Sequence, residues 1–333
     1  MTPSASTRWW LVASARLGRV WMMVMGVPRI AMWLADPMLT SASAAPLSPI
    51  CRVPTCGDSG AAAVRCNVLA MSTHTSWKPS ELHDGRRTES GGERVETREL
   101  TVAGRFCGPP GMGNGGWIAG SLARYVSPGP AQVTLRVPAP LDRPLTVRTS
   151  AETVQLVDGD TVCAEATRTG SLDIELPAPV SFDVAASASA GFVGHHEHPF
   201  PACFVCGPER EPDDGLRVFP GPVDGRPGVV AAPWVPGRSV VGSDTADHVR
   251  TEAIWAALDC PTGWAHYEPG GLALLGRHTV EVARPIVADE TYVVVAERKS
   301  ADGRKLHATA ALYAADGTMH ASARALWITL TAR

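Results

Sequence analysis

VTLRVPAPLDRPLTV at Val133–Val147 and VEVARPIVADETYVV at Val280–Val294 follow one plan: an alternating strand, a proline, a short kink containing aspartate, and a second alternating strand. Pro138 and Pro285 are 285 − 138 = 147 residues apart, and Asp142 and Asp289 are 289 − 142 = 147 apart. Two landmarks held in one register mark an internal repeat. Each stretch also follows a short helix-like segment. The chain therefore reads as two copies of one helix-plus-sheet domain, and a duplicated domain of this kind places its site at the seam between copies.

Working outward, the first copy opens with the glycine loop Phe106–Gly116, FCGPPGMGNGG, which leads into a helix over Trp117–Tyr125 stopped by Pro128. Strands are expected at 131–137, 145–156 and 161–168, with a hairpin at Asp158–Gly159–Asp160 and a further strand at 171–177. Residues 178–201 read as the bridge between copies, with runs of alanine and serine followed by His195, His196 and His198. The second copy begins with the loop Ala202–Gly215, a strand from Leu216 and its partner Val229–Trp234. A helix then runs over Arg250–Leu258, ended by Pro261 and Gly263. Four strands follow, at 277–284, 291–299, 305–313 and 319–330, turned at Asp302–Gly303 and Asp316–Gly317 and read as a meander. Consecutive hairpins with one helix per sheet give an α+β class.

The chain has 333 residues, 45% of them apolar and 19% charged, which sets a globular protein with room for two domains. A net charge of −3 without a basic run argues against nucleic acid and acidic membrane surfaces as partners. The eight cysteines are scattered through a long chain, which fits reduced thiols and a cytoplasmic location. The stretch before Met71 differs from the rest. Val20–Ala35 is apolar but broken by Pro28 and Arg29, too short and interrupted to span a membrane, although its flanks mimic a signal peptide. Met71 opens an ordinary polar segment, and it or a nearby codon reads as the true start, with 1–70 as upstream translated sequence or else a disordered extension. The expected boundaries are an N-terminal extension at 1–98, a first domain at 99–190 and a second at 191–333.

A family resemblance rests on three short motifs. CFVCGPEREPDDGL at Cys203–Leu216 resembles the CFxCGPxxxxxxGL lead-in of many hotdog acyl-CoA thioesterases. AALDCP at Ala256–Pro261 resembles the ALxD helix of the phenylacetyl-CoA-pathway type, and Asn114–Gly116 resembles the opening of the same helix in the first copy. The resemblance covers about 100–330. It implies two tandem hotdog domains, each a central helix wrapped by an antiparallel sheet, and hydrolysis of an acyl-CoA thioester. Coenzyme A would enter as part of the substrate, with no separate cofactor. Exposed sheet edges favour a homodimer. The alternatives are a non-catalytic acyl-CoA-binding double hotdog and an enoyl-CoA hydratase using Asp244 and His248, whose spacing fits that family poorly.

In the related thioesterases the acid of ALxD is the catalytic base or nucleophile, and that role carries over to Asp259. Read from the residues, Asp259 is a helix-end carboxylate whose charge is disfavoured by the helix dipole and by Trp255 beside it, as suits a general base. The plainer reading is a carboxylate satisfying amides in the turn into Pro261. Glu252, seven residues earlier on the same face, is the reserve candidate. Asn114, Gly115 and Gly116 offer backbone amides for an oxyanion, or else a turn that Asn114 caps. In the matching part of the first copy only Ser121 and Arg124 are polar, which gives one acid per chain. Cys203 and Cys206, with His195, His196 and His198 upstream, invite a zinc reading. One CxxC pair supplies only half of a tetrahedral set, so the pair reads as a tight thiol turn and no metal is expected. Cys260 has no histidine placed to activate it.

Overall fold

A computed structural model of the chain describes residues 95–330 apart from 127, 244 and 245, together with the pairs 12–13 and 20–21. The chain divides into two units, Met1–Ser76 and Trp77–Arg333. In the first, β1 (Val12–Ala13) and β2 (Val20–Trp21) pair antiparallel. The reading of Met71 as a start lies outside the described residues, as does Asp244. No helix among the described residues is long and apolar enough to cross a membrane.

The second unit is built on one antiparallel sheet of eleven strands. In chain order these are β3 (Glu96–Thr101), β4 (Ala131–Leu135), β5 (Pro144–Thr149), β6 (Thr153–Asp158), β7 (Thr161–Arg168), β8 (Gly221–Pro222), β9 (Val229–Trp234), β10 (Ala273–Val282), β11 (Tyr292–Asp302), β12 (Lys305–Ala314) and β13 (Met319–Thr329). Their order across the sheet is β3-β5-β6-β7-β4-β10-β13-β12-β11-β9-β8. Apart from the short β8, this order is a palindrome about the β4–β10 pair. The expected meander is corrected: the last strand, β13, pairs with β12 and also returns to β10. The single strand expected over 145–156 is two, turned at Ser150, and residues 171–177 form no strand. The extension was expected to reach 98, but β3 already begins at Glu96.

The register of the sequence repeat recurs in the backbone. Asp142 and Asp289 both adopt a left-handed conformation, with φ of 56° and 66°. Aspartate tolerates this better than most side chains because it can bond locally. Each ties its kink back to an earlier turn. Asp142 N–H donates to Val102 O, and its Oδ1 accepts from Gly104 N–H; Asp289 N–H donates to Pro236 O, and its Oδ2 accepts from Arg238 Nε. The isolated bridges Met112↔Pro140 and His248↔Val287 also match, since 287 − 140 = 147.

Helices α1 (Gly115–Val126) and α3 (Thr251–Trp264) pack against each other and against the same face of the sheet. Their axes run antiparallel, because Gly116 meets Asp259 while Gly120 meets Glu252. A Cβ on Gly116 would lie 2.7 Å from Ala256 Cα, and one on Gly120 would lie 2.7 Å from Glu252 Cα. The two glycines thus set a crossing closer than side chains permit. Helix α2 (Phe182–Ala190), within the segment read as a bridge, is capped by Ser181 Oγ, which accepts from Val184 N–H at 3.3 Å. It covers the other face of the sheet, burying Ala185 and Ala188 against Val293, Val295, Ala311 and Tyr313. The alternate residues Val294, Ala296, Ala310 and Leu312 face α1 and α3. Burial on both faces explains the unbroken apolar run at 292–296.

His278, on β10 between Val133 of β4 and Ala325 of β13, is fully buried. Neither ring nitrogen has a hydrogen-bond partner among the described residues, and burial pushes its pKa down to about 3. The unfolded chain takes up this proton near the ordinary value of 6.5, the folded one only near 3. Stability therefore falls as pH drops through that window, by up to about 1.4 kcal/mol per pH unit. Urea unfolding at pH 7 and pH 5 should show a loss about 1–2 kcal/mol larger in the native chain than in His278→Leu. Equal losses would remove this assignment.

Gly120→Ala tests the helix crossing. An alanine gains about 1 kcal/mol of helix propensity, whereas forcing a methyl into packed backbone costs about 1–3 kcal/mol. The contact is with backbone that cannot rotate away, so a net loss of stability is expected in chemical denaturation. A gain would show that the helices part freely.

Candidate active site

Asn114 ends the glycine loop and opens α1. Its Oδ1 accepts from Trp117 N–H at 2.9 Å, the N-cap bond expected for asparagine, and its carbonyl accepts from Ile118 N–H. The same side chain turns its Nδ2 toward Asp259 Oδ2, at 3.1 Å. The capping role expected of Asn114 is made, and the same side chain also contacts Asp259. Phe106 stacks on Trp117 with ring centroids 3.6 Å apart, and the buried Phe204 meets both rings edge-on. This aromatic group fastens the glycine loop, the start of α1 and the CxxC loop together.

Asp259 is 2% exposed. Its Oδ2 accepts from Gly116 N–H at 2.8 Å as well as from Asn114, while its Oδ1 has no partner among the described residues. Burial pushes the carboxyl up to about 7, against the Gly116 amide that holds it down; charge on Cys203 adds to the rise, and the Asn114 amide opposes it. The helix-end explanation is corrected. Helix α3 does not stop at Pro261 but continues to Trp264, so Asp259 lies in its interior. Pro261 is tolerated because α3 is buried from Glu252 through Thr262, and tertiary packing outweighs the local break. The last turn is also pinned: Thr262 Oγ1 donates to Asp259 O and accepts from Trp327 Nε1 of β13.

A cavity of about 760 Å³ opens beside this carboxylate. Asn114, Gly115, Asp259 and Cys260 line it, with an apolar wall that includes Leu274, Leu275, Trp327 and Ile328. Arg136, Arg298 and Lys299 line it too. Gly115 is the first residue of α1, where an N–H has no acceptor within the helix. Gly116 N–H is already committed to Asp259.

Two expected site residues lie elsewhere. Trp255 is 2% exposed and packs edge-on against His278, ring centroids 5.4 Å apart; it does not line the cavity. Glu252 is buried too, and instead of being solvated it accepts from Arg124 at 2.7 Å, with Arg250 at 3.5 Å. It sits about 10 Å along α3 from Asp259. The bridges Cys107↔Gly113 and Val241↔Val249 set the helices at an offset of 249 − 113 = 136. By that offset α1 and α3 begin at equivalent positions, and Asp259 corresponds to Ala123, not to Ser121. Ser121 is turned back onto its own helix, donating to Trp117 O.

Three buried thiols meet at the cavity wall: Cys203 and Cys206 from the loop, and Cys260 from α3. Sequence spacing linked only the first two. Cys260 is reached through its neighbour Asp259, which α3 delivers to the same place.

No family model matches the chain, and no curated protein matches it. Solved structures to which it is similar include the tesB protein MAP1729c of Mycobacterium avium subs paratuberculosis, at 14% identity over 73% of this chain and 96% of that one, with a TM-score of 0.46. An acyl-CoA thioesterase II TesB2 from Mycobacterium marinum is similar at 14% identity, 72% and 93% coverage and a TM-score of 0.43. A conserved protein of unknown function with hot dog fold from Alicyclobacillus acidocaldarius is similar at 11% identity, 74% and 96% coverage and a TM-score of 0.41. Likeness at these scores carries no weight about chemistry, which has to come from the site itself.

Proposed function

We propose that this chain is an acyl-CoA thioesterase made of two tandem hotdog domains, with one active site at their seam. The observation that carries the reading is the Asp259 carboxylate. It is buried against the start of α1 and held on Oδ2 by two N–H donors; its Oδ1 is buried without a partner among the described residues, and the residue lines a largely apolar cavity. A buried polar atom without a partner costs roughly 1–3 kcal/mol, and this one belongs to a carboxylate that lines the cavity.

In this reading Oδ1 accepts the proton of a water that attacks the thioester carbonyl carbon. Gly116 and Asn114 fix the carboxylate, and the N–H of Gly115 receives the developing oxyanion. The thiolate of coenzyme A leaves and takes up a proton. The acyl chain lies against Leu274, Leu275 and Ile328, and Arg136, Arg298 and Lys299 offer cations to the phosphates of coenzyme A.

The test is thiol release from a panel of acyl-CoAs. Asp259→Asn keeps the shape and both donors' reach but removes the base, and should lower kcat/KM about 10²–10⁴-fold. Glu252→Gln, remote from the cavity, should change turnover less than about threefold while lowering stability through the lost Arg124 pair. Binding of acyl-CoA without turnover of any member would leave a binding protein in place of the enzyme. Full activity in Asp259→Asn would remove the assigned base.

A further inference from the structure

Cys203, Cys206 and Cys260 take no part in the reaction proposed above, yet their arrangement is specific. All three are buried, and their Sγ atoms lie within 4.8 Å of one another. Cys203 Sγ and Cys260 Sγ are 3.8 Å apart. Two sulfurs bound tetrahedrally to one zinc at about 2.3 Å would be separated by about 3.8 Å. The loop is built for the pair it carries: Gly207 N–H donates to Cys203 O, and a Cβ on Gly207 would strike Pro201 O and the Cys203 backbone at 2.4–2.5 Å.

N–H donors are directed at the sulfurs. His198 Nε2 lies 3.2 Å from Cys206 Sγ. Phe200 N–H donates to His198 Nδ1, which leaves the ring hydrogen on Nε2, aimed at the sulfur. Trp264 Nε1–H donates to the same sulfur at 3.3 Å. Asn114 Nδ2 faces Cys203 Sγ at 4.0 Å and Cys260 Sγ at 3.8 Å. Two N–H groups therefore meet Cys206, and the Asn114 hydrogen not given to Asp259 faces the Cys203–Cys260 pair. Three thiolates packed this closely repel one another unless a cation lies among them.

We infer that Cys203, Cys206 and Cys260 form a three-thiolate site for Zn²⁺, with the fourth position open to the cavity that the three residues line. On binding, three S–H protons are released and three Zn–S bonds form. The assembly carries one net negative charge, which the N–H groups of His198, Trp264 and Asn114 face. His198 acts here as a positioning donor, since its Nδ1 lone pair is already used and Nε2 holds the proton. Thiolates are the ligand set that selects zinc over the hard cations magnesium and calcium. The sequence pair CxxC carried half a site, and α3 supplies the third ligand from a distant part of the chain.

The site is tested without measuring turnover, so the result stands apart from the thioesterase reading. The full chain is used with Cys51→Ser, Cys56→Ser and Cys66→Ser, so that only the remaining thiols report. Zinc content by elemental analysis should be about one equivalent per chain. Cys203→Ser, Cys206→Ser and Cys260→Ser should each remove most of it, and Cys163→Ala should leave it unchanged. Should the serine variants not fold, Co²⁺ titration of the parent chain decides instead. Thiolate-to-Co²⁺ charge-transfer bands that saturate at one equivalent and vanish on adding Zn²⁺ support the site. A folded parent chain with no zinc and no such bands overturns it, as does zinc retained in all three serine variants.

Discussion

The close crossing of α1 and α3 is the constraint on which the rest of the molecule depends. Glycine inside a helix costs about 1 kcal/mol relative to alanine, and α1 carries two, Gly116 and Gly120, on the face toward α3. Their lack of side chains brings backbone against backbone, with Gly116 beside Asp259 and Gly120 beside Glu252. At a normal interhelical distance the Gly116 amide would not reach Asp259 Oδ2. A carboxylate so deeply buried would then keep only the Asn114 amide, and its burial would push it further toward the protonated form. The contact that packs the two helices is also the one that makes the buried acid tenable.

The sheet supplies the other half of that stability. Strands β11 and β12 are covered on one face by α1 and α3 and on the other by α2. Strands β6 and β7 instead carry Gln155 and Glu165 opposite each other on their outer face, hydrogen-bonded at 3.1 Å. The part of the sheet formed by β9, β11 and β12 is thus buried on both sides, and the helix bearing Asp259 packs on it. Closing the last turn of α3 onto Trp327 of β13 through Thr262 extends that support beyond Pro261.

Much of this was legible in the chain because it is local. The register of Pro138 with Pro285 and of Asp142 with Asp289 reports turns fixed by their own residues, and both aspartates adopt the same left-handed conformation. The alternation of the later strands and the Asp-Gly hairpins are local signals as well. What escaped is what depends on neighbours. Pro261 reads as a helix stop until one sees how completely α3 is enclosed. Helix α2 is written in alanine and serine, with no apolar period to betray it, although Ser181 is an ordinary N-cap. Trp255 looks like a wall for the acid beside it in sequence, but the helix turns it toward His278. Of the site, Asp259, Asn114 and Gly115 were recognisable from short motifs, whereas Cys260 joins Cys203 and Cys206 only through the folding of α3 onto the loop.

The palindromic sheet raises the question of why, among the described residues, a buried acid faces glycine amides at one end of the α1–α3 crossing and not at the other. The helix register that equates Gly113 with Val249 places Thr251 and Glu252 of α3 where α1 has Gly115 and Gly116, and Ala123 of α1 where α3 has Asp259. At the Asp259 end, bare glycine amides face an acid across the crossing. At the other end the acid is missing, and Glu252 occupies the helix start itself. Its carboxylate is suited to the positive end of α3 and is paired with Arg124, the residue next to Ala123. The same exchange of residues thus removes the acid from one helix and fills the amide-rich start of the other with a fixed ion pair. The two ends differ by more than a lost carboxylate: one is left bare and opens on a cavity, and the other is closed by charge pairing and serves the crossing alone.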